Sequence, residues 1–241
     1  DQACSVSKYS HNTNSWTNYN LFALGQLTCG AGSGIRSIRV DDSNNVWICG
    51  LAGLAKYDQA NWTFFSHLNT PMPQGYIFDI AFDTSGNKWI ATENGLFKFD
   101  DSTWTLYNNL NTTMKGDVVT CVIVDSNGVV WVTSHEELSP YTGSITSFDG
   151  TTWTAYTMTN SGLQANIINR MAEDTLGNLW LNSETYGLTI FNPNGVVGYG
   201  CLAKSLGGCT VTSVPEHGTP ERSTINLYPN PAGSICTLSI T

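Results

Sequence analysis

A seven-residue motif recurs four times in this chain of 241 residues, and its spacing constrains the fold more than any other feature. Each copy begins with Asp, has Gly or Asn at its fourth position and ends with Trp. The copies are Asp83 to Trp89, Asp125 to Trp131, Asp174 to Trp180 and, in degenerate form, Asp41 to Trp47. The first three Trp residues are spaced by 42 residues, and the fourth follows 49 residues later. A period of this length indicates repeated supersecondary units.

Each motif lies between two predicted strands. The apolar runs that precede the four Asp residues are Ile35 to Val40, Ile77 to Phe82, Val118 to Val124 and Ile167 to Ala172. Another short strand pattern follows each Trp. Gly readily adopts positive φ, and Asn44, which stands at the Gly position of the first copy, is the next most tolerant residue type. We therefore interpret the motif as the turn of a β-hairpin.

A second hairpin follows in the repeat. It runs from Gly53-Leu54 to Tyr57-Asp58, from Gly95-Leu96 to Phe99-Asp100 and from Gly187-Leu188 to Phe191-Asn192, and the third copy has an insertion, His135 to Ser144, instead of Gly-Leu. Its last strand is marked by Trp62-Thr63, Trp104-Thr105 and Trp153-Thr154. Four antiparallel strands in about 40 to 45 residues are typical of a propeller blade. The sequence predicts an all-β fold, a β-propeller of about four four-stranded blades with Trp side chains between them.

The N-terminal segment predicts how this propeller closes. Trp16-Thr17 resembles the last strand of a blade but precedes every complete copy, whereas the fourth copy has no clear Trp-Thr strand. We therefore expect the N-terminal strand to complete the last blade, which leaves no open sheet edge. The alternative is that Val196 to Tyr199 forms a degenerate outer strand and that another chain completes a larger propeller.

The charge balance narrows the possible partners. Ten Lys and Arg residues stand against 19 Asp and Glu residues, which gives a formal charge of −9 and a pI near 4.7. That balance repels nucleic acid and anionic lipid. No apolar run approaches the roughly 18 residues needed to cross a bilayer. A chain that starts at Asp1 without Met fits a processed export product, so we expect a soluble protein that is secreted or lies at the outer cell surface.

The seven cysteines fit an oxidising compartment but show no metal-binding spacing. Cys201 and Cys209, which flank a Gly-containing loop, are the favoured disulfide, and Cys4 with Cys29 is a weaker candidate. Cys49 and Cys121 fall inside strand patterns, where a buried thiol acts as a small apolar side chain.

The ordered motifs resemble a known repeat. The string D-x-x-G-N-x-W, G-L, F-D and W-T-x-Y, followed by Leu110-Asn111-Thr112 or by Asn160 to Leu163, resembles the two-component regulator propeller repeat found in many Bacteroidota proteins. The resemblance covers roughly residues 15 to 195. It implies a β-propeller, and the family's usual propellers have more blades than the four counted in this chain.

The C-terminal part differs in composition from the repeats. We assign residues 1–195 to the propeller and residues 196–223, which include Cys201 and Cys209, to a linker rich in Gly, Ser and Pro. Thr224 to Ala232 contains Tyr228-Pro229-Asn230-Pro231 and resembles the opening of the C-terminal sorting domain of the type IX secretion system. This resemblance implies that residues 224–241 begin that domain and that the secretion machinery is a partner. An ordinary Pro-containing turn before a strand is the alternative.

The repeated Asp residues are interpreted as turn caps. None begins the alternating oxygen pattern of a calcium loop, and all miss the sialidase Asp box by one residue. The arginines of the repeats, Arg36, Arg39 and Arg170, occupy positions taken by ordinary strand residues in other copies. The sequence contains no hydrolase triad order, phosphate loop or metalloprotease motif, so we expect no catalytic residues, no metal and no cofactor.

Residues that break the repeat are the candidates for ligand binding. The loops between the second and third strands of a blade lie at the mouth of a propeller, where side chains have no packing role. They carry Glu93, Asn94, His135, Glu136, Glu137, Tyr141, Glu184 and Tyr186. The acidic members favour a cation, a cationic peptide or the hydroxyls of a neutral glycan, and the two tyrosines suit stacking on sugar rings. A solvated loop rim without a ligand is the alternative.

Three functional hypotheses follow. The first is a secreted or surface-displayed propeller that binds a glycan or a protein without catalysis. The second is a structural subunit of an extracellular assembly, formed by self-assembly through blade edges and the Cys-bearing tail. The third is a polysaccharide lyase or hydrolase that uses Glu136 or Glu184 with Tyr141 or Tyr186. The family resemblance also implies O-linked glycosylation at Asp-Ser/Thr sites, and Ser102 and Thr175 occupy suitable sites.

Overall fold

The described part of the chain is built from β-strands joined by turns. The computed structural model describes residues 5–21, 34–51, 53–138, 142–161, 163, 165–183 and 187–194, together with the backbone of residues 224–227 and 236–239. It contains no helix in these residues, and therefore none long and apolar enough to span a membrane. The predicted all-β class is confirmed. Contacts divide the chain into a first unit, residues 1–108, and a second unit, residues 109–241.

The first unit contains a two-stranded sheet and two four-stranded sheets. The small sheet is formed by β1 (Ser5–Ser10) and β2 (Ser15–Asn20). Blade one is formed by β3 (Ser37–Val40), β4 (Val46–Gly50), β5 (Gly53–Tyr57) and β6 (Trp62–Phe65). Blade two is formed by β7 (Ile77–Phe82), β8 (Lys88–Thr92), β9 (Gly95–Phe99) and β10 (Trp104–Tyr107). Each blade is an antiparallel meander, as the repeat predicts.

The second unit contains blades three and four. Blade three is formed by β11 (Val118–Val124), β12 (Val130–His135), β13 (Gly143–Phe148) and β14 (Trp153–Tyr156). Blade four begins with β15 (Arg170–Glu173), β16 (Leu179–Ser183) and β17 (Gly187–Phe191). The sheet continues through β18 (Thr224–Leu227), parallel to β17, and β19 (Cys236–Ser239), antiparallel to β18.

The N-terminal strand differs from the expectation. We expected the strand at Trp16 to complete blade four, but β2 pairs with β1 in a sheet of its own, and the neighbour that β17 has beyond β16 is β18. The prediction that this strand closes blade four is therefore wrong. The reason is that Ser5 to Ser10 supplies a hairpin partner for β2, while β18 occupies the edge of β17 that the prediction gave to β2. The alternative strand at Val196 to Tyr199 lies outside the described residues.

The β1–β2 hairpin has the register of the second half of a blade. Tyr57 lies opposite Trp62 in blade one, and the same pairing joins Phe99 with Trp104 in blade two and Phe148 with Trp153 in blade three. In the N-terminal hairpin, Tyr9 lies opposite Trp16. The preceding Lys8 lies opposite Thr17, as Lys56 lies opposite Thr63. The hairpin is thus the fourth occurrence of the repeat's aromatic strand pair.

The Asp of the repeated motif holds its turn through several hydrogen bonds. In the second copy, Asp83 Oδ1 accepts from the backbone N–H groups of Ser85 and Asn87, at 3.0 Å each. Its Oδ2 accepts from Asn87 Nδ2 at 2.8 Å and from the indole Nε1 of Trp89 at 2.9 Å. The glycine of this turn, Gly86, has φ of 80°, as predicted. We call this arrangement of the carboxylate and indole the Asp–Trp clasp.

All four copies of the motif form the clasp. The indole Nε1 lies 2.8 to 3.0 Å from the Asp Oδ2 in the pairs Trp47–Asp41, Trp89–Asp83, Trp131–Asp125 and Trp180–Asp174. Asn44, the substitute for Gly, has φ of 61°. The carboxylate oxygens are thus occupied by the turn itself, which supports the interpretation of these residues as caps.

The clasp changes the acidity of its carboxyl groups. Burial by itself raises the pKa of Asp83, but the hydrogen bonds from Asn87, Trp89 and the backbone outweigh burial and bring the pKa below the ordinary value of 3.8. The same balance lowers the pKa of Asp41 and of Asp174. Each folded group therefore binds its proton less readily than an ordinary Asp does.

The indoles and strand residues of adjacent blades share apolar cores within each unit. In the first unit, Trp47, Cys49 and Leu54 of blade one pack with Ile77, Ile80, Ile90 and Phe97 of blade two. In the second unit, Cys121, Trp131 and Ile145 of blade three pack with Met171, Leu179, Leu181 and Phe191 of blade four. The predicted packing of Trp between blades is confirmed for Trp47 and Trp131. Cys49 and Cys121 are buried thiols, as predicted.

The contribution of the clasp is testable in adjacent residues. Asp41→Ala removes the acceptor of Trp47 and of two backbone N–H groups, so we expect the free energy of unfolding to fall by about 1 to 3 kcal/mol. Asp42 is exposed and lies in the same turn. Asp42→Ala is therefore the matched control, with an expected change within about 0.5 kcal/mol. Urea denaturation measures both, and equal losses would contradict the assigned role of Asp41.

The lowered pKa values predict a loss of stability in acid. The folded pKa of Asp41, Asp83 and Asp174 lies below the ordinary 3.8. Their contribution is therefore fully present above the unfolded pKa and is lost as pH falls through the folded pKa. We expect the unfolding free energy to fall steeply below about pH 4. Denaturation between pH 2 and 6 measures this, and Asp83→Asn should flatten the curve; an unchanged slope would contradict the prediction.

Candidate functional site

The first predicted pair of site residues lies in the turn between β8 and β9. Glu93 is half-buried and Asn94 is exposed. The backbone N–H of Glu93 donates to Tyr76 O at 3.3 Å, and that of Asn94 donates to Thr92 Oγ1 at 3.1 Å. These bonds fix the backbone of the turn against the segment that enters β7. Glu93 and Asn94 therefore lie between the second and third strands of blade two.

Three residues that were not among the predicted site residues lie next to this turn. The guanidinium carbon of Arg36 lies 4.5 Å from the ring centroid of Tyr76, which is a cation–π geometry. The rings of Tyr76 and Phe78 stack with centroids 5.7 Å apart. Tyr76 is also bridged to Leu51, the residue that follows β4. We call Arg36, Tyr76, Phe78 and Glu93 the first-unit rim.

The strand β7 is irregular where it enters the first-unit rim. Its pairing with β8 shifts between Ile77 and Asp79, so Phe78 is the extra residue of a β-bulge. In β11 the corresponding bulge residue is Thr120, so blade three has a hydroxyl side chain where blade two has the aromatic ring of Phe78. A bulge re-aims a side chain without disturbing the rest of the ladder. The residue type at the bulge therefore differs between blades two and three, whereas the strand pairing beyond the bulge is the same.

An ion pair between the partly exposed Arg39 and the buried Asp79 lies beside the bulge and joins blades one and two. Asp79 is fully buried, and each of its carboxylate oxygens lies 3.0 Å from Arg39 Nη2. Ser37 Oγ donates to Asp79 Oδ1 at 2.6 Å. Because an unpaired buried carboxylate is costly, these bonds hold β3 against β7. Arg39 thus has a structural role, whereas Arg36 belongs to the rim.

Glu93 is placed by a glycine that leaves room for its carboxylate. Gly75 is buried, and a Cβ added there would overlap Glu93 Oε2. The carboxylate therefore lies across the Gly75 backbone, close in sequence to Tyr76. The first-unit rim has one positive and one negative side chain together with two aromatic rings. This composition suits a ligand that is neutral overall more than it suits a cation.

The other described candidates lie in the second unit, at the end of β12. His135 is the last residue of β12, Glu136 is half-buried and Glu137 is exposed. The backbone N–H of Glu136 donates to Thr142 O at 2.8 Å, which closes the connection to β13. Burial lowers the pKa of His135 below 6.5. The imidazole is therefore mostly neutral at pH 7.

A glycine turn packs against the backbone of this loop. Gly116 has φ of 95°, and a Cβ there would overlap the backbone of His135 and Glu136. Beneath it, Ser144 Oγ accepts from the Lys115 N–H at 3.0 Å and lies 3.2 Å from Ser134 Oγ. These contacts bring the loop before β11 against the β12–β13 connection.

The remaining candidates lie outside the described residues. They are Tyr141, Glu184 and Tyr186 of the predicted rim, and Cys201 and Cys209 of the predicted disulfide. Among the residues that are described, no three His, Cys, Asp or Glu side chains lie close enough to hold a metal ion.

Comparison with solved structures identifies the fold. The chain is similar to the extracellular domain of a hybrid two-component system protein from B. thetaiotaomicron, with 17% identity and a TM-score of 0.59 over 80% of this chain and 25% of that chain. It is also similar to virginiamycin B lyase from Staphylococcus aureus, with 14% identity and a TM-score of 0.57 over 80% and 65% of the two chains. The likeness confirms the predicted β-propeller fold.

A third similar structure is PorZ, a surface component of the type IX secretion system of Porphyromonas gingivalis. Its identity is 17% and its TM-score 0.50, over 70% of this chain and 25% of PorZ. The chain thus spans about a quarter of the length of PorZ and of the B. thetaiotaomicron domain. No protein-family model and no curated protein matches the chain.

The packing of Gly116 against the backbone of His135 and Glu136 can be tested by substitution, with a second glycine of positive φ as the control. Gly128 has φ of 82° and nothing within 4 Å of an added Cβ. Gly128→Ala therefore reports backbone strain alone, with an expected cost of about 1 to 3 kcal/mol. Gly116→Ala adds overlap with the backbone of His135, so it should cost more and shift the NMR resonances of His135. Thermal unfolding measures the difference, and equal costs would contradict the packing described here.

Proposed function

We propose that this chain is a secreted or cell-surface β-propeller that binds a glycan or a protein without catalysing a reaction on it. The observation that carries the proposal is the first-unit rim. There, Arg36, Tyr76, Phe78 and Glu93 meet at a bulge and a turn, where the repeat does not fix the residue type. Side chains that vary between otherwise similar blades have no common packing role. Binding is the role that such positions commonly take in a propeller.

The chemistry of the rim favours a ligand with hydroxyl or amide groups. Tyr76 and Phe78 offer aromatic faces, and the charges of Arg36 and Glu93 balance each other. Aromatic rings stack on the apolar faces of sugars or peptide side chains, while the charged groups bond to polar substituents. In the second unit, considered by itself, we propose Glu136, Glu137, Tyr141, Glu184 and Tyr186 as ligand contacts.

Location and partners are part of the same proposal. The similar structures include extracellular domains of B. thetaiotaomicron and a surface component of P. gingivalis, which supports an extracellular or cell-surface location. We assign residues 1–195 to the propeller, residues 196–223 to a linker with a Cys201–Cys209 disulfide and residues 224–241 to the start of a secretion sorting domain. The partner of that last segment is the secretion machinery.

The rim is tested by removing its side chains one at a time. Binding to a glycan array should be lost or weakened about tenfold or more in Arg36→Ala and Tyr76→Ala, because each truncation removes a central contact. Glu93→Gln removes the charge and keeps the shape, so it should weaken binding less than Tyr76→Ala. Asp42→Asn is the control for charge, since Asp42 lies in the β3–β4 turn at the other end of blade one.

Two outcomes would overturn the proposal. Unchanged binding in all three rim variants would show that the first-unit rim is not the ligand site. Release of products from a polysaccharide panel, measured as new reducing ends or unsaturated sugars, would show that the protein is an enzyme. Glu136→Gln would then identify whether the β12–β13 loop supplies a catalytic carboxyl group.

A further inference from the structure

The β1–β2 hairpin has one face packed on blade one and one face directed away from it, which we call the outward face. The outward face carries two exposed aromatic side chains. Trp16 is 66% exposed and Tyr9 is 44% exposed. Their ring centroids are 5.1 Å apart and their ring planes are inclined by 46°, so the two rings lie side by side on this face. Exposure of a Trp to this extent is unusual and often marks an interaction surface.

The corresponding Trp residues of the complete blades in the first unit are packed. Trp62 of blade one meets Tyr19 of β2, with ring centroids 5.4 Å apart, and Trp104 of blade two meets Phe65 of blade one at 6.4 Å. Both are half-buried. Trp62 and Trp104 are thus covered by the preceding sheet, whereas Trp16 belongs to the first sheet of the chain and is exposed.

The pattern of substitutions on this face argues against a missing blade as its partner. Along the outward face, the next cross-strand pair is Ala55–Phe64 in blade one and Phe97–Leu106 in blade two. In the hairpin that pair is Ser7–Asn18, and Ser7 Oγ donates to Asn18 Oδ1 at 2.7 Å. Burying this polar pair in an apolar seam would cost free energy. The face is thus adapted to water everywhere except at its aromatic pair.

Hydroxyl, amide and imidazole groups surround the aromatic pair. Tyr9 Oη donates to Asn14 Oδ1 at 2.7 Å, and the ring of His11 lies 6.5 Å from that of Tyr9. Asn14 and Asn18 accept the bonds from Tyr9 and Ser7 through Oδ1, so the amide N–H groups of both residues take no part in these two bonds. The face therefore combines aromatic rings with hydroxyl and amide groups.

The face carries no negative charge, although the protein as a whole is acidic. The sequence from residue 5 to residue 20 contains no Asp or Glu. Its one Lys, Lys8, donates to Gln59 Oε1 at 3.2 Å and lies over the ring of Tyr57, on the opposite face of the hairpin. The surface therefore offers no carboxylate, ammonium or guanidinium group to a ligand, which favours a neutral one.

From these observations we propose that the outward face of the β1–β2 hairpin binds neutral saccharides. The apolar C–H face of a pyranose ring stacks on Trp16 and Tyr9, and its hydroxyl groups bond to Asn14, Asn18 and Ser7. This site is separate from the first-unit rim and does not depend on the function proposed for that rim.

The test uses the full chain and defined neutral probes. Soluble xyloglucan, glucomannan, galactomannan and mixed-linkage β-glucan are included in native affinity gels, and cellohexaose, xylohexaose, mannohexaose and chitohexaose are titrated by calorimetry. We expect retardation by at least one polysaccharide. Trp16→Ala should weaken binding by about tenfold or more, and Tyr9→Ala by less, because the indole is the larger contact.

The controls separate this site from the rim and from nonspecific contacts. Leu68→Ala removes another apolar side chain of the first unit, 84% exposed, and should leave binding unchanged. The comparison is repeated in a Tyr76→Ala background, in which any binding at the rim is weakened, so that failure of this proposal is distinct from failure of the rim. The proposal is wrong if none of these neutral probes binds, or if Trp16→Ala does not weaken binding in that background. A self-association that Trp16→Ala abolishes in sedimentation velocity would instead identify the face as a protein interface.

Discussion

The bond between a turn carboxylate and a downstream indole is the interaction on which the fold of each blade depends. Because Asp83 accepts from Ser85, Asn87 and Trp89, one side chain sets the turn, the strand that leaves it and the orientation of the indole. A turn without this acceptor would leave the indole N–H and two backbone N–H groups to find other partners. Local hairpin geometry and packing between blades are therefore coupled through a single residue.

That coupling explains why the cores form at the same positions in both units. Trp47 is oriented by Asp41 and packs against blade two, and Trp131 is oriented by Asp125 and packs against blade four. The aromatic pair at the strand end meets the preceding sheet, as Trp62 meets Tyr19. The N-terminal hairpin keeps this pair and its register. It therefore serves as the sheet against which blade one packs.

Features set by the repeat could be predicted from the sequence, and features set by register could not. The blades, the turns and the buried Cys49 and Cys121 follow from local patterns that recur. The hairpin partner of Trp16 was missed because six residues separate Tyr9 from Trp16, whereas four separate Tyr57 from Trp62. The rim residue Phe78 was missed because a bulge is visible only once β7 is paired with β8. Arg36 looked like an ordinary strand residue until its contact with Tyr76 was known.

The distribution of hydrogen-bond acceptors in the structure separates stability from function. The carboxylates of the clasp are occupied by their own turns, which leaves them little capacity to bind a metal ion or a substrate. Side chains outside the repeat, such as Glu93 and Asn94, take no part in the hydrogen bonds of the clasp. They are therefore free to vary without loss of the fold. If the two binding proposals hold, substitutions at bulges, turns and the outward face of the first hairpin would change the ligand, while the Asp–Trp clasps keep the sheets unchanged.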